Sequence, residues 1–213
     1  VYGYFNMLTR YIIETGNWQG ALSVPVVVPS RDFVAAKLQL EAMAAGKLGD
    51  AAAAKAAAEK LVALSNEPDQ HAFAKQIITL QAREAEAIAA QAARDTPGAM
   101  ARLGEAVAIE DSISALSQPP YPPIPAHELY GTLLMEMERP ADAMKHFTET
   151  LRRTPGRPKA IYGIARAAEA LGDTQTAIRR YVEFLELWKD ADKDRPEIAT
   201  AQRFLSATKG RAR

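Results

Sequence analysis

Apolar residues along this chain recur three and four positions apart, the spacing that gathers them on one face of a helix. The period is clearest between Ile124 and Arg157. Leu129, Leu133 and Met137 lie four apart with Tyr130 and Leu134 beside them, predicting a helix over 126–138. Ala143, Met144, Phe147 and Leu151 predict a second helix over 140–153. Pro140 suits the first turn of that helix, where its missing N–H has no partner to lose, and Pro155-Gly156 ends it. Displaced by 34 residues, the pattern repeats. Tyr130 maps to Ile164, Gly131 to Ala165, Ala143 to Ala177, Phe147 to Tyr181 and Leu151 to Leu185.

The break between paired helices recurs at five places, each with an alanine five residues further on. Gly16-Asn17 leads to Ala21, Gly49-Asp50 to Ala54, Arg94-Asp95 to Ala99, Glu138-Arg139-Pro140 to Ala143, and Gly172-Asp173 to Ala177. The intervals between breaks are 33, 45, 44 and 34 residues, so helix-turn-helix units repeat along the chain. Upstream, residues Tyr2 to Glu14 predict a first helix, and Ser23-Val24-Pro25 cuts short the one after Asn17. Arg31 to Gly46 and Asp50 to Ser65 predict a hairpin, with Ala42 and Ala54 at its contact and Asn66-Glu67-Pro68-Asp69 closing it. A long helix from Gln70 to Arg94 pairs with Pro97 to Ala115 through Ala87 and Ala99. Arg195 to Ala207 places Ile198, Phe204 and Leu205 on one face and predicts a helix that closes the end of the stack.

The run Ser117-Gln118-Pro119-Pro120-Tyr121-Pro122-Pro123-Ile124-Pro125 is neither helix nor central strand, because each proline removes a donor and restricts the residue before it. It reads as a stiff polyproline connector feeding helices at both ends, in preference to a ligand for a proline-binding domain. The organisation expected is therefore irregular hairpins over 1–116, a connector over 117–125, and two regular hairpins plus a capping helix over 126–213.

Composition narrows the class. The stretch Ala51-Ala52-Ala53-Ala54-Lys55-Ala56-Ala57-Ala58 is the extreme of an alanine-rich chain, which favours helices that approach closely. Lys and Arg number 26 and Asp and Glu 26, giving no net pull toward nucleic acid. No run approaches the roughly 20 apolar residues of a membrane span. With no cysteine, disulfides, thiolate chemistry and Cys-based metal sites are excluded. The chain opens at Val1 inside a predicted helix and is read as part of something longer, which leaves cytoplasm and periplasm both open.

The two regular units resemble the tetratricopeptide repeat (TPR), a 34-residue helical hairpin. Gly131 and Ala143, then Ala165 and Ala177, stand at its two small positions, Phe147 and Tyr181 at its aromatic position, and Pro155 at its closing proline. The second unit has Lys189 at that last place. Thr15-Gly16-Asn17-Trp18, the proline run and Tyr162-Gly163-Ile164-Ala165-Arg166-Ala167-Ala168 resemble phrases of a broad group of bacterial TPR proteins, as a C-terminal part of a longer chain. The resemblance implies an all-α, right-handed solenoid of antiparallel hairpins with a C-terminal cap, a TPR-like superhelix. It also implies a concave face lined by the first helix of each hairpin. Its residues here are Gln39 and Met43, then Glu84, Ile88 and Gln91, then Glu128, Thr132 and Met135, then Tyr162, Arg166 and Glu169. Glu128 and Thr132 stand where chaperone-binding members carry a lysine/asparagine carboxylate clamp, which argues against that specificity.

Little in the sequence points to catalysis. His71, His127 and His146 lack a second ligand at helical spacing and read as packed or surface residues. Asp190-Ala191-Asp192-Lys193-Asp194 starts like a calcium loop but has Arg195 and Ala201 where glycine and glutamate are required; Asp192 and Asp194 suit the start of the last helix instead. There is no nucleophile elbow, phosphate loop or dinucleotide fingerprint. Lys145, Arg152, Arg153, Arg157, Lys159 and Arg166 gather around the single acid Glu149, a surface for an acidic ligand or a solvated face balanced by acids elsewhere, the second being preferred. The expectation is a non-catalytic scaffold without metal or cofactor, monomeric or weakly self-associating, that holds a protein or peptide segment. Two alternatives are a structural segment packed against its own missing N-terminal region and part of an enzyme with its active site elsewhere.

Overall fold

The computed structural model describes residues 2–25, 30–68, 71–113, 123–192 and 195–211. The described residues form eleven α-helices and no strand. These are α1 (Tyr2–Thr15), α2 (Trp18–Ala21), α3 (Arg31–Leu48), α4 (Ala51–Ser65), α5 (Ala72–Ala92) and α6 (Thr96–Ser112). They continue with α7 (Ala126–Glu136), α8 (Pro140–Arg153), α9 (Pro158–Ala170), α10 (Thr174–Leu187) and α11 (Pro196–Arg211). Helices pack on their near neighbours in sequence: α3 on α2, α4 and α5, α5 on α4 and α6, α9 on α8 and α10, and α10 on α11.

The breaks read from the sequence form one recurring turn. Gly16, Gly49, Arg94, Glu138 and Gly172 are all left-handed, with φ of 70°, 83°, 62°, 56° and 76°. At the last four, the following N–H closes the preceding helix in the same way. Asp50 donates to Ala45 O at 2.8 Å, Asp95 to Ala90 O at 2.8 Å, Arg139 to Leu134 O at 2.8 Å and Asp173 to Ala168 O at 2.9 Å. That bond satisfies a carbonyl the helix end would otherwise strand. The residue after the left-handed position then caps the next helix. Asp50, Asp95 and Asp173 accept from the backbone N–H three residues on at 2.9, 2.9 and 3.0 Å, and Asn17 does so at 3.1 Å. Arg139 makes no such bond, and α8 begins on Pro140.

All five trailing alanines, Ala21, Ala54, Ala99, Ala143 and Ala177, are 0% exposed. Each is the point where the second helix of a pair meets buried neighbours, and a larger side chain there has no volume to occupy. The opposing small residues are buried as well: Ala42, Ala87, Gly131 and Ala165.

Several element ends differ from the sequence reading. α6 stops at Ser112, short of Ala115, because Ile113 is already extended. α7 stops at Glu136 because Glu138 turns left-handed. α5 is described from Ala72, and α11 runs to Arg211, four residues past Ala207. Residues 117–122 of the expected connector, Gln70, and Lys193 and Asp194 of the acidic run lie outside the described residues.

The chain divides into two compact units, 1–129 and 130–213, a boundary inside α7 rather than in the proline run. The reason is packing. Ile124 and Leu129 join the cluster of Ile12, Ile13, Phe33 and Leu40, and Ala126 packs with Leu80 and Ala106. A second cluster in the first unit sets Leu38 and Ala42 of α3 and Leu61 and Leu64 of α4 against Ile78, Ala82 and Ala85 of α5. The buried Lys37 ammonium donates to the carbonyl of Ala21 at 2.9 Å and so ties the end of α2 to α3.

In the second unit Phe147 is central. It is packed with Leu134, Ala143, Ala160 and Ile164. Its ring also lies so near two glycines that a Cβ at Gly131 or Gly163 would come within 2.8 or 2.6 Å of it. Tyr181, 34 residues on, fills the equivalent place, with the Phe204 ring of α11 at 5.1 Å between centroids. Ile198 and Ala201 of α11 are buried against α10, as the apolar face read from the sequence requires.

Ala143→Leu and Ala177→Leu are each expected to destabilise the chain by about 1–3 kcal/mol through overpacking. Thermal unfolding checks this, and a neutral result would remove these residues from the helix contact. Gly163→Ala is expected to lower the unfolding temperature although alanine is the better helix former by about 1 kcal/mol. Phe147→Leu in the same chain should reverse part of that loss, and the double-mutant cycle measures the clash.

Candidate functional site

The side chains assigned to a binding face separate by burial. In the first unit Gln39 and Met43 of α3, Glu84 of α5 and Glu128 of α7 are buried, while Ile88 and Gln91 of α5 are half-buried. The four buried residues are interior side chains and offer a peptide no open surface. The resemblance placed them on one face by their position in the repeat, but α3 packs on four helices and α5 on three, so little of either remains open.

Instead the first unit encloses a polar network. The Gln39 side-chain amide donates to Glu84 Oε2, and Gln81 Nε2 donates to Gln39 Oε1 at 3.0 Å. Glu84 is 0% exposed, and its other oxygen, Oε1, has no hydrogen-bond partner. Burial pushes its carboxyl well above the usual range, and the nearby Glu110 carboxylate adds to this. The Gln39 hydrogen bond acts in the opposite direction, and Glu128 raises it further. Glu110, also buried, accepts from the His127 backbone N–H at 3.0 Å, while His127 Nε2 lies 3.1 Å from Asp111 Oδ1. His127 is thereby a packed residue at the start of α7. His146 stacks on Tyr130 with centroids 4.5 Å apart, and His71 precedes α5 at the surface.

The sequence reading placed Gln39 and Glu84 but missed their connection and the roles of Gln81 and Glu110. A signal was present: Ile77, Gln81, Glu84 and Ile88 follow helical spacing, so two polar residues interrupt an apolar stripe.

In the second unit the assigned residues remain accessible. Thr132, Arg166 and Glu169 are exposed, and Met135 and Tyr162 half-buried. Tyr162 sits on the Phe184 ring at 5.1 Å, and its hydroxyl is 3.5 Å from Arg166 Nη1. Glu169 Oε2 accepts from the Tyr181 hydroxyl at 2.5 Å and lies 3.8 Å from Arg166 Nε. Burial raises the Tyr181 phenol, and the bond to Glu169 raises it further, so it stays a donor. A guanidinium, a phenol and a carboxylate thus stand together along α9, able to accept and donate hydrogen bonds to an extended chain.

The cationic surface near them is less bare than its composition suggests. Lys145 and Arg139 both bind Asp142, at 2.9 and 2.6 Å, and hold its carboxyl below the ordinary range. Arg152 binds Glu149 at 2.6 Å, and Arg157 is buried. These i,i+3 pairs give a laced, solvated face, each exposed pair contributing little to stability.

A groove of about 490 Å³ also runs between α4, α5 and α6. Its lining includes Ala89, Ala90, Ala93, Lys55, Glu59 and Arg102.

No protein-family model matches the chain, and no curated protein or solved structure shows significant similarity to it. Among the described residues, no helix is long and apolar enough to cross a membrane.

Gln39→Leu removes the one side chain that satisfies both Gln81 and Glu84. Leaving buried polar groups unpaired costs about 1–3 kcal/mol each, so the urea midpoint should fall clearly below that of Met43→Leu, which conserves volume and removes no hydrogen bond. Equal midpoints for the two variants would show that the network adds nothing to stability.

Proposed function

We propose that this chain is a non-catalytic protein-interaction scaffold, a TPR-like stack of helical hairpins that holds a peptide or protein segment. The observation that carries the reading is the hairpin itself. One left-handed turn followed by one fully buried alanine occurs five times, at Ala21, Ala54, Ala99, Ala143 and Ala177. Repetition of a packing unit without repetition of a reactive group favours an extended holding surface over a single reaction centre. The superhelix, its right-handed sense and the bacterial TPR kinship belong to the same proposal.

The binding face is assigned to the second unit, on the first helices α7 and α9. Thr132, Met135, Tyr162, Arg166 and Glu169 supply it. Such a mixture suits an extended or helical peptide: the thioether and ring take apolar side chains, while Arg166 and Glu169 bond the peptide's polar groups. Tyr162 is also part of the packing around Phe184, so its removal would damage the fold along with the face.

Arg166→Glu combined with Thr132→Arg changes exposed positions alone and tests the assignment. Peptides selected on the wild-type chain from a displayed random library are expected to bind this variant about tenfold or more weakly, the loss of one charge-assisted bond. Equal binding would place the partner surface elsewhere, and failure to select any peptide from a diverse library would count against the scaffold reading.

A further inference from the structure

We infer that Glu84 is a proton-operated latch in the first unit: it packs as a neutral carboxylic acid where α3, α5, α6 and the first turn of α7 meet, and its ionisation loosens them. Four observations carry this. The side chain is 0% exposed, so an anion there forgoes all hydration. It receives one hydrogen bond, from Gln39, while Oε1 receives none; a carboxylate anion needs several donors to be tolerated in an interior.

The charges acting on it from neighbouring helices are of its own sign, Glu110 from α6 and Glu128 from α7, both buried. Finally, several cations of the surrounding elements are paired elsewhere, while Lys47, Lys60 and Lys75 are exposed to solvent. On α3, Lys37 binds the Ala21 carbonyl and lies 3.4 Å from Glu41. On α4, Lys55 faces Glu59 at 3.7 Å. On α5 itself, Arg83 binds Glu86 and Glu105 at 2.5 and 2.8 Å. On α6, Arg102 binds Glu105 at 3.0 Å, and on α7 the His127 ring faces Asp111.

Gln39 suits both protonation states. A side-chain amide presents an N–H to a carboxylate or, turned over, an oxygen to a carboxylic acid O–H. Gln81 makes the same exchange behind it. Losing the proton is therefore costly through burial of the resulting anion and not through loss of the Gln39 bond.

The direction of the pH dependence follows. The folded unit binds this proton more tightly than the unfolded chain, in keeping with the raised carboxyl. Its contribution is complete below the ordinary glutamate range and is lost as pH rises through the folded value. One such proton changes the folded-to-unfolded ratio by at most about tenfold per pH unit.

The two tryptophans, Trp18 and Trp188, lie one in each unit. Trp18 fluorescence in a Trp188→Phe background therefore reports the first unit within the whole chain. Urea unfolding is measured at intervals from about pH 5 to about pH 9, across the range of a raised carboxyl. The midpoint is expected to fall with pH, and Glu84→Gln, which keeps shape and hydrogen bonding, should remove the fall attributable to this group. The variant should then be the more stable chain at the alkaline end. A variant profile parallel to the parent's would overturn the inference.

Should Glu84→Gln not fold, the infrared spectrum of the unsubstituted chain decides. A protonated-carboxyl C=O band at neutral pH that disappears on unfolding supports the latch, and its absence refutes it. Repeating the urea series with EDTA, then with Mg²⁺ or Ca²⁺ restored, separates a proton from a cation. A midpoint that depends on the metal would mean that a bound ion neutralises Glu84, and the latch would be discarded.

Discussion

The five helix pairs joined by a left-handed turn depend on how closely two backbones can come together five residues beyond it. At that point the side chain is always a methyl group with no exposed surface. Close approach brings many weak dispersion contacts into range at once, and those contacts, more than any single bond, hold a hairpin of two short helices. The turn places the contact in register. A left-handed residue ends one helix, the next residue starts another, and the alanine arrives a fixed distance later. Larger apolar residues then find their places around a spacing already set, as Phe147 does between Gly131 and Gly163.

The hairpins were legible in the sequence because turn chemistry is local. Gly49-Asp50 and Gly172-Asp173 combine a residue free to adopt positive φ with a side chain that caps the next helix, and both act within a few residues. Arg94 and Glu138 adopt the same conformation without glycine; there the trailing alanine and the helical period were the better guides. The end of α6 was legible only to within a few residues, since the nearest breaker in the chain, Pro119, lies several residues past Ile113.

The binding face was only partly legible. Counting positions within a hairpin tells which side of a helix a residue occupies, but whether that side is open depends on helices distant in sequence. For Tyr162, Arg166 and Glu169 on α9 the side remains accessible. For Gln39, Met43, Glu84 and Glu128 it does not, because α3, α5, α6 and the start of α7 close over them. The cost of enclosing polar groups there is offset by pairing Gln39 with both Gln81 and Glu84. The single acid Glu149, read as standing alone among bases, has the same explanation in reverse. Among its cationic neighbours, Lys145 pairs with Asp142 and Arg166 approaches Glu169, acids that a count along one stretch of sequence did not include.

The arrangement of near-neighbour helices also governs the order in which the chain can acquire structure. Most helix pairs are joined by short turns, so the loop to be closed before a contact forms is small and relative contact order is low, the condition for rapid folding. Hairpins can form as they leave the ribosome, without waiting for the far end of the chain. The bond between Gln39 and Glu84 departs from this local economy. It spans 45 residues and crosses an entire intervening helix. It can close only after α3, α4 and α5 are assembled, which makes it a late, long-range check on packing that has otherwise proceeded step by step.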